Sequence, residues 1–130
     1  MRKLYFIKFL ILISSLAVFG KTSAIMELNA VIEWDSITVD FGKVPLNKPI
    51  TAEFSFKNKG MIPLIITDVK SSCGCTVADY PKQPIPSGGK GKISATYDAK
   101  LSGYFNKTIT VYSNTDEGMT ELYIKGEVIK

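Results

Sequence analysis

The sequence has no histidine, a single tryptophan and only two cysteines in 130 residues. The absence of histidine excludes Ser-His-Asp and Cys-His nucleophiles, imidazole metal ligands and an imidazole that exchanges protons near neutral pH. We therefore expect a protein that is not an enzyme, has no catalytic residues and carries no cofactor. The chain is too apolar for a disordered segment, because 45% of its residues are hydrophobic and 22% are charged. Its length fits one folded domain.

The N-terminus has the pattern of a secretory signal peptide. A basic start, Met1 to Lys3, precedes twelve uncharged residues from Phe9 to Gly20. This run suits the apolar part of a signal peptide and is shorter than the about 20 residues that a membrane-spanning helix needs. Because small residues lead up to Ala24, we predict a signal peptide helix over 1–24 and a mature domain over 25–130. The alternative is an uncleaved membrane anchor, because the apolar stretch becomes longer when it is counted back through Lys8 to Leu4.

The positive charge of the chain belongs to this first segment. The whole chain has a net charge of +4, and residues 1–24 hold four of its 16 basic residues and none of its 12 acidic ones. The predicted mature domain is therefore neutral, and it offers no electrostatic attraction to nucleic acid or anionic lipid. We expect no nucleic-acid partner, no membrane span after cleavage, and a location in the periplasm, the extracellular space or the cell envelope.

The rest of the chain alternates between apolar and polar residues with a period of two, which is typical of half-buried strands. Six segments show a strand pattern: 37–41, 50–57, 61–69, 92–98, 105–112 and 122–128. The segment 61–69 is more continuously apolar, which indicates a strand covered on both sides or one that crosses between sheets. When two sheets pack together, the apolar faces of six or seven such short strands are buried between them. The pattern predicts an all-β sandwich.

Cys73 and Cys75, separated by Gly74, are the one candidate for chemistry. Residues i and i+2 of an extended strand lie about 6.4–6.8 Å apart at Cα, at the limit of the about 4.4–6.8 Å disulfide range, so a disulfide needs a bend at Gly74. Such a bond closes a minimal loop, adds little stability and is expected to be easily reduced. Two thiolates on one face are also suited to a soft metal ion such as Cu(I). The spacing is also compatible with buried thiols that only fill space and with a nucleophilic thiol, for which Lys70 is the one basic residue close in sequence.

Several segments taken together resemble a family of small exported bacterial proteins, common in Bacteroidetes and of unknown function. They are Ile37–Pro45 (ITVDFGKVP), Phe54–Gly60 (FSFKNKG), Pro63–Ile66 (PLII), Ser72–Thr76 (SCGCT) and Ile85–Gly88 (IPSG). The S-C-G-C-T segment is the specific part. The resemblance implies an immunoglobulin-like β-sandwich of about seven strands, similar to domains of the major-sperm-protein and ASH type, and it implies no activity.

These observations favour a non-enzymatic binding or structural module of the cell envelope, whose partner is a protein or a glycan. An exposed strand edge is a template for adding a strand from a partner, which suits such a role. The alternative function is a redox-active or Cu(I)-handling protein that uses Cys73 and Cys75.

We predict that the exported protein begins at Ile25. Edman sequencing of protein purified from its native compartment checks this, because signal peptidase leaves the residue after Ala24 as the new N-terminus. Protein that begins at Met1 would contradict cleavage and support the uncleaved anchor.

Overall fold

The computed structural model describes residue 20 and residues 28–130, apart from the side chain of Val77. The predicted signal peptide helix over 1–24 lies outside the described residues, except for Gly20. No helix long and apolar enough to span a membrane occurs in the described part of the chain. The described residues form eight strands: β1 (Ile32–Trp34), β2 (Thr38–Pro45), β3 (Ile50–Asn58), β4 (Ile66–Ser71), β5 (Thr76–Asp79), β6 (Lys90–Tyr97), β7 (Gly103–Ser113) and β8 (Met119–Ile129).

The strands form two four-stranded sheets that pack face to face. Sheet A has the order β1-β3-β6-β5 and sheet B the order β2-β8-β7-β4. All neighbouring strands are antiparallel except β2 and β8, which run parallel. The predicted β-sandwich is therefore confirmed. The pattern missed β1 and β5, because strands of three and four residues are too short to show alternation.

The predicted strand over 61–69 is only partly correct. β4 begins at Ile66, and the exposed side chains of Thr67 and Lys70 show that it is not covered on both faces. The preceding residues cross from sheet A to sheet B, which was the second interpretation of this segment. Backbone and side-chain groups both satisfy the crossing: Leu64 and Ile85 exchange two backbone hydrogen bonds of 2.8 Å. The Asn114 amide accepts from Ile65 N at 2.8 Å and donates to the Pro63 carbonyl at 3.0 Å.

The core lies between the two sheets and consists of the inward residues of the alternating strands. Tyr97 of sheet A stacks on Phe105 of sheet B, with ring centroids 4.3 Å apart. Each large side chain buried in this way stabilises the fold by about 1.5–3 kcal/mol. The largest fully buried apolar side chains are those of Phe54, Phe56, Leu64, Ile93, Ile109, Val111, Leu122, Ile124 and Val128.

Asn58, at the end of β3, is the buried polar residue that joins three loops at one end of the sandwich. Its Nδ2 donates to the carbonyls of Ile62 at 2.9 Å and Ile85 at 3.0 Å. Its Oδ1 accepts from Gly60 N at 2.9 Å and from Val31 N at 3.4 Å. All four hydrogen-bonding positions of the amide are used, which is the condition for burying such a group without a large cost.

We predict that Asn58→Ala lowers the free energy of unfolding by about 3 kcal/mol or more, because each of several buried backbone groups left without a partner costs about 1–3 kcal/mol. Urea unfolding followed by circular dichroism measures the change. Asn106→Ala, at an exposed position of β7, is the matched control and is expected to stay within about 0.5 kcal/mol. Equal midpoints for the two variants would contradict the role given to Asn58.

Candidate functional site

The segment Ser72–Cys75 connects β4 of sheet B to β5 of sheet A. The sulfur atoms of Cys73 and Cys75 form a close pair, and the Cα atoms of the two residues are 5.3 Å apart. This Cα separation is shorter than the about 6.4–6.8 Å of an extended strand, so the chain bends at Gly74. Gly74 does not have a positive φ, and the bend therefore uses a backbone conformation that other residues also adopt.

Backbone and hydroxyl hydrogen bonds hold this segment to both sheets. The Ser71 hydroxyl is within 2.8 Å of the carbonyls of Cys73 and Thr76. Asp98 N donates to the Cys75 carbonyl at 3.0 Å, which fixes the segment to the end of β6. Because these bonds involve the backbone and not the sulfur atoms, they hold the loop in place whether the sulfurs are bonded or not.

Both cysteines are half-buried, and Gly74 between them is exposed. Apart from atoms of the two cysteines, no atom lies within 4 Å of the position where a side chain of Gly74 would begin. The backbone between the two cysteines is therefore open to solvent at Gly74. Cys75 packs against the hydrophobic core on the other side.

Lys70, the cation considered for activating a thiol, is engaged elsewhere. Its Nζ is 3.9 Å from Asp68 Oδ2 and 5.7 Å from the centroid of the Tyr112 ring. Tyr97 lies opposite Thr76 in the sheet, and burial, followed by the charge of Asp98, raises the pKa of its hydroxyl. Tyr97 therefore stays protonated near neutral pH and does not act as a base for the cysteines there.

Metal binding at this segment has a limited set of ligands. Among residues 28–130 there is no group of three or more Cys, Asp or Glu side chains that could hold a metal ion. A soft ion at this place would thus be held by the two sulfurs of one loop, and only after reduction of the pair. Two-coordinate Cu(I) is the ion that suits such a ligand set.

The outward backbone of β2 is blocked by a side chain. Tyr123 N donates to Ile37 O at 2.8 Å, so Ile37 faces β8 and the next residue, Thr38, faces outward. The Ser36 hydroxyl donates to Thr38 O at 2.9 Å and accepts from Thr38 N at 3.3 Å. A bulge at Gly42, with φ +65°, then interrupts the strand. Such bulges and contacts prevent a sheet edge from pairing with another chain.

The edges β4 and β5 are blocked in the same manner. In β4, Asp68 Oδ1 accepts from the outward Val69 N at 2.8 Å. In β5, Asp79 Oδ1 accepts from Tyr80 N at 2.9 Å. The Ser71 hydroxyl donates to the carbonyl of Thr76 at the start of the strand. On each of these edges at least one of two successive outward residues has a backbone group that is already bonded.

The edge β1 is open. Val31 O accepts from Lys59 N, just after β3, at 2.9 Å, and Asp35 N donates to Ser55 O of β3 at 3.0 Å. The N–H and C=O groups of Ile32 and Trp34 therefore point away from the sheet. Within residues 28–130, no group hydrogen-bonds these four outward backbone groups. Ile32 and Trp34 therefore keep free donors and acceptors for an added strand, whereas Ala30, the outward residue before them, is bridged to Thr115.

Trp34 is the last residue of this edge strand. It is the single tryptophan of the chain, it is half-buried, and it packs edge to face on Phe56 with ring centroids 5.1 Å apart. Its Nε1 is buried and makes no hydrogen bond with the described residues. A buried indole N–H normally has a partner, so the tryptophan is the one unsatisfied buried side-chain donor in the described part of the chain.

Residues 32–128 match the model of a protein family described as "Protein of unknown function (DUF1573)". The chain belongs to this family. This confirms the resemblance found in the S-C-G-C-T and accompanying segments. None of the curated proteins matches the chain.

Solved structures confirm the immunoglobulin-like fold. A protein of unknown function from Porphyromonas gingivalis W83 is 19% identical with a TM-score of 0.69; the match covers 82% of this chain and 51% of that one, so the chain spans about half of that protein's length. The ASH / PapD-like domain 7 of human CEP192 is 11% identical with a TM-score of 0.66, and the match covers 88% of this chain and 96% of that one. The YadV chaperone is 15% identical with a TM-score of 0.58, and the match covers 76% and 52%. At these identities the likeness shows the fold alone.

The sequence located the cysteine pair but missed the open edge. The signal for β1 is limited to the triplet Ile32-Glu33-Trp34, which alternates over only three residues. The sequence also could not show which strand edges are free to pair, because this depends on whether hydroxyl and carboxylate groups of neighbouring residues reach the outward backbone. Ser36 and Asp68 have the residue types that do so, but their contacts follow from the fold.

We predict that Cys73 and Cys75 form a disulfide in the exported protein and that Gly74→Ala preserves it. The alanine Cβ meets no atom within 4 Å outside Cys73 and Cys75, and its effect on the free energy of unfolding is expected to be at most about 1 kcal/mol. Alkylation of non-reduced protein, followed by mass spectrometry, should add no label to either protein and two labels after reduction. Full labelling without reduction, in protein taken directly from its native compartment, would contradict the disulfide.

Proposed function

We propose that the chain is an exported, non-enzymatic binding module of the cell envelope that presents β1 to a protein partner. The observation that carries the proposal is the open edge, with four outward backbone groups on Ile32 and Trp34. Strand addition to such an edge gives affinity through main-chain hydrogen bonds and specificity through alternate side chains.

The contrast between the edges supports this role. β2, β4 and β5 have side-chain contacts or bulges that oppose pairing with another strand. Exposed edges promote aggregation, and natural sheets block them. An edge left open in a fold that blocks the others is consistent with use of that edge in binding.

A protein partner fits this edge better than a glycan. An extended polypeptide offers N–H and C=O groups alternately along one side, in the spacing that a sheet edge requires. The export of the domain follows from the signal-peptide pattern of residues 1–24. The envelope is then the compartment where the partner is encountered.

A second candidate function uses the cysteine pair, and it is favoured by the exposed, uncovered position of Gly74. A thiolate of a dithiol reductant attacks the Cys73 sulfur, the Cys73–Cys75 bond breaks, and Cys75 leaves as a thiolate that takes up a proton. The second thiol of the reductant then displaces Cys73 from the mixed disulfide. The reductant is oxidised to a disulfide, and the chain gains two electrons and two protons.

We predict that Ile32→Pro abolishes capture of the envelope partner and that Ala78→Pro does not. Proline at Ile32 removes an outward N–H and leaves the hydrogen bonds between β1 and β3 in place, and edge strands accept proline at such positions. Ala78 is the matched position on β5, the opposite edge of sheet A. Quantitative pull-down from envelope extract, with circular dichroism as a check of folding, measures the effect.

The double variant Cys73→Ser, Cys75→Ser separates the two candidate functions. Capture that persists in this variant and is lost in Ile32→Pro supports the binding module. Capture that is lost with the cysteines and unchanged in Ile32→Pro would contradict it and support the redox function.

A further inference from the structure

A groove of about 460 Å³ lies on sheet B, where β2, β8 and β7 are neighbours. It is on the outer face, because Phe105 and Val128 of the same strands are buried between the sheets and successive side chains of a strand point to opposite faces. Its volume is within the range of about 300–1,000 Å³ that is usual for small-molecule sites. The polar and aromatic side chains that line it are those of Asp40, Lys43, Tyr104, Asn106, Lys125 and Glu127.

The bulge in β2 forms one side of the groove. Residues 40 and 43 of β2 are paired with residues 125 and 127 of β8, so two residues of β2 lie opposite Gly126. Asp40 Oδ1 accepts from Gly42 N at 2.9 Å, which holds the bulge in place. A Cβ at position 126 would lie 2.8 Å from Gly42 O, so the close approach of the two strands requires glycine there. Bulges occur often beside active sites, where they change the direction of a side chain.

Tyr104 forms the aromatic side of the groove. Its exposed fraction is 89%, the highest among the exposed large hydrophobic side chains of residues 28–130. The ring therefore adds little to the core of the sandwich. A tyrosine ring offers an apolar face together with a polar hydroxyl, and exposed rings of this kind are frequent in binding surfaces.

The charged groups of the groove have both signs and are interleaved. Asp40 and Glu127 are acidic, Lys43 and Lys125 are basic, and in the described part of the chain none of the four forms an ion pair. A bound anion would be repelled by the two carboxylates and a bound cation by the two lysines, so the groove favours neither. A neutral compound rich in hydroxyl groups suits it, because each hydroxyl both donates and accepts hydrogen bonds.

An added polypeptide strand is a poor occupant at this place. The Ser36 hydroxyl bonds the outward backbone of Thr38, and the bulge interrupts the ladder next to the groove. Interrupted edges oppose the pairing of another strand. An occupant is therefore held by the side chains of the groove.

We propose that this groove binds a neutral pyranose sugar of a glycan. The C–H face of the sugar ring packs on the ring of Tyr104, because both surfaces are apolar. The sugar hydroxyls form hydrogen bonds with the side chains of Asp40, Asn106 and Lys125. This is a second binding site on sheet B, and it does not depend on the β1 edge, which belongs to sheet A.

Titration with neutral oligosaccharides tests the site. Maltotetraose, cellotetraose, β-1,4-mannotetraose and N-acetylchitotetraose are each added to ¹⁵N-labelled protein up to about 10 mM, which saturates a site with a Kd of about 1 mM or tighter. At least one of them should give saturable shifts of the amide signals of Tyr104, Asn106 and Gly126. No saturable shift with any of the four, or shifts centred elsewhere on the domain, would overturn the proposal. Saturable binding of sodium phosphate at the same amides would show an anion site and overturn it too.

Substitution of the aromatic ring locates the contact. Tyr104→Ala is expected to weaken binding of the sugar by at least tenfold, whereas Tyr104→Phe keeps the ring and should stay within about threefold. Tyr123→Ala is the matched control, because Tyr123 lies on the same strand β8 face but does not line the groove, and it should change the affinity by less than twofold. Circular dichroism checks that each variant is folded. An equal loss in Tyr104→Ala and Tyr123→Ala would contradict a contact in the groove.

Discussion

The buried amide of Asn58 is the contact on which the rest of this end of the sandwich depends. It joins the start of β1, the crossing between the sheets and the loop before β6 through four hydrogen bonds. Next to it, Gly60 allows close approach of the chain: a Cβ there would lie 2.2 Å from Asn29 O. The open edge is therefore held in position from within the fold. Because an unsatisfied buried polar group is costly, these bonds hold the residue that precedes β1 against the end of β3.

Two short turn segments contact each other in the structure. The N-x-G element, Asn58 to Gly60, meets the P-x-G element, Pro86 to Gly88, through backbone and hydroxyl hydrogen bonds. Gly88 N donates to Asn58 O at 2.7 Å, and the Ser87 hydroxyl donates to Gly60 O at 2.6 Å. Each motif taken alone predicts only a turn. Their pairing explains why both occur in one chain.

The sequence predicted the sandwich and most strands because alternation over eight or more residues, as in β3 and β7, reports which face is buried. It left open whether the segment before Ile66 crosses between the sheets, where a Leu64–Ile85 bridge and the Asn114 amide take the place of a longer ladder. Nor could it distinguish open from blocked edges, because Ser36 bonds the backbone of Thr38 only in the bent conformation that the fold imposes. The bend at Gly74 was foreseen from strand geometry, whereas the exposure of the pair was visible only in three dimensions.

The cysteine pair and the open edge lie at different parts of sheet A, β5 and β1 being its two opposite edges. A binding role at β1 therefore does not depend on the oxidation state of the cysteines. The most direct test of the binding role is amide hydrogen exchange of Ile32 and Trp34 with and without the captured envelope partner. The account predicts that the partner slows exchange at both amides, since they become donors to an added strand. Unchanged exchange at both, with protection elsewhere on the domain, would contradict it.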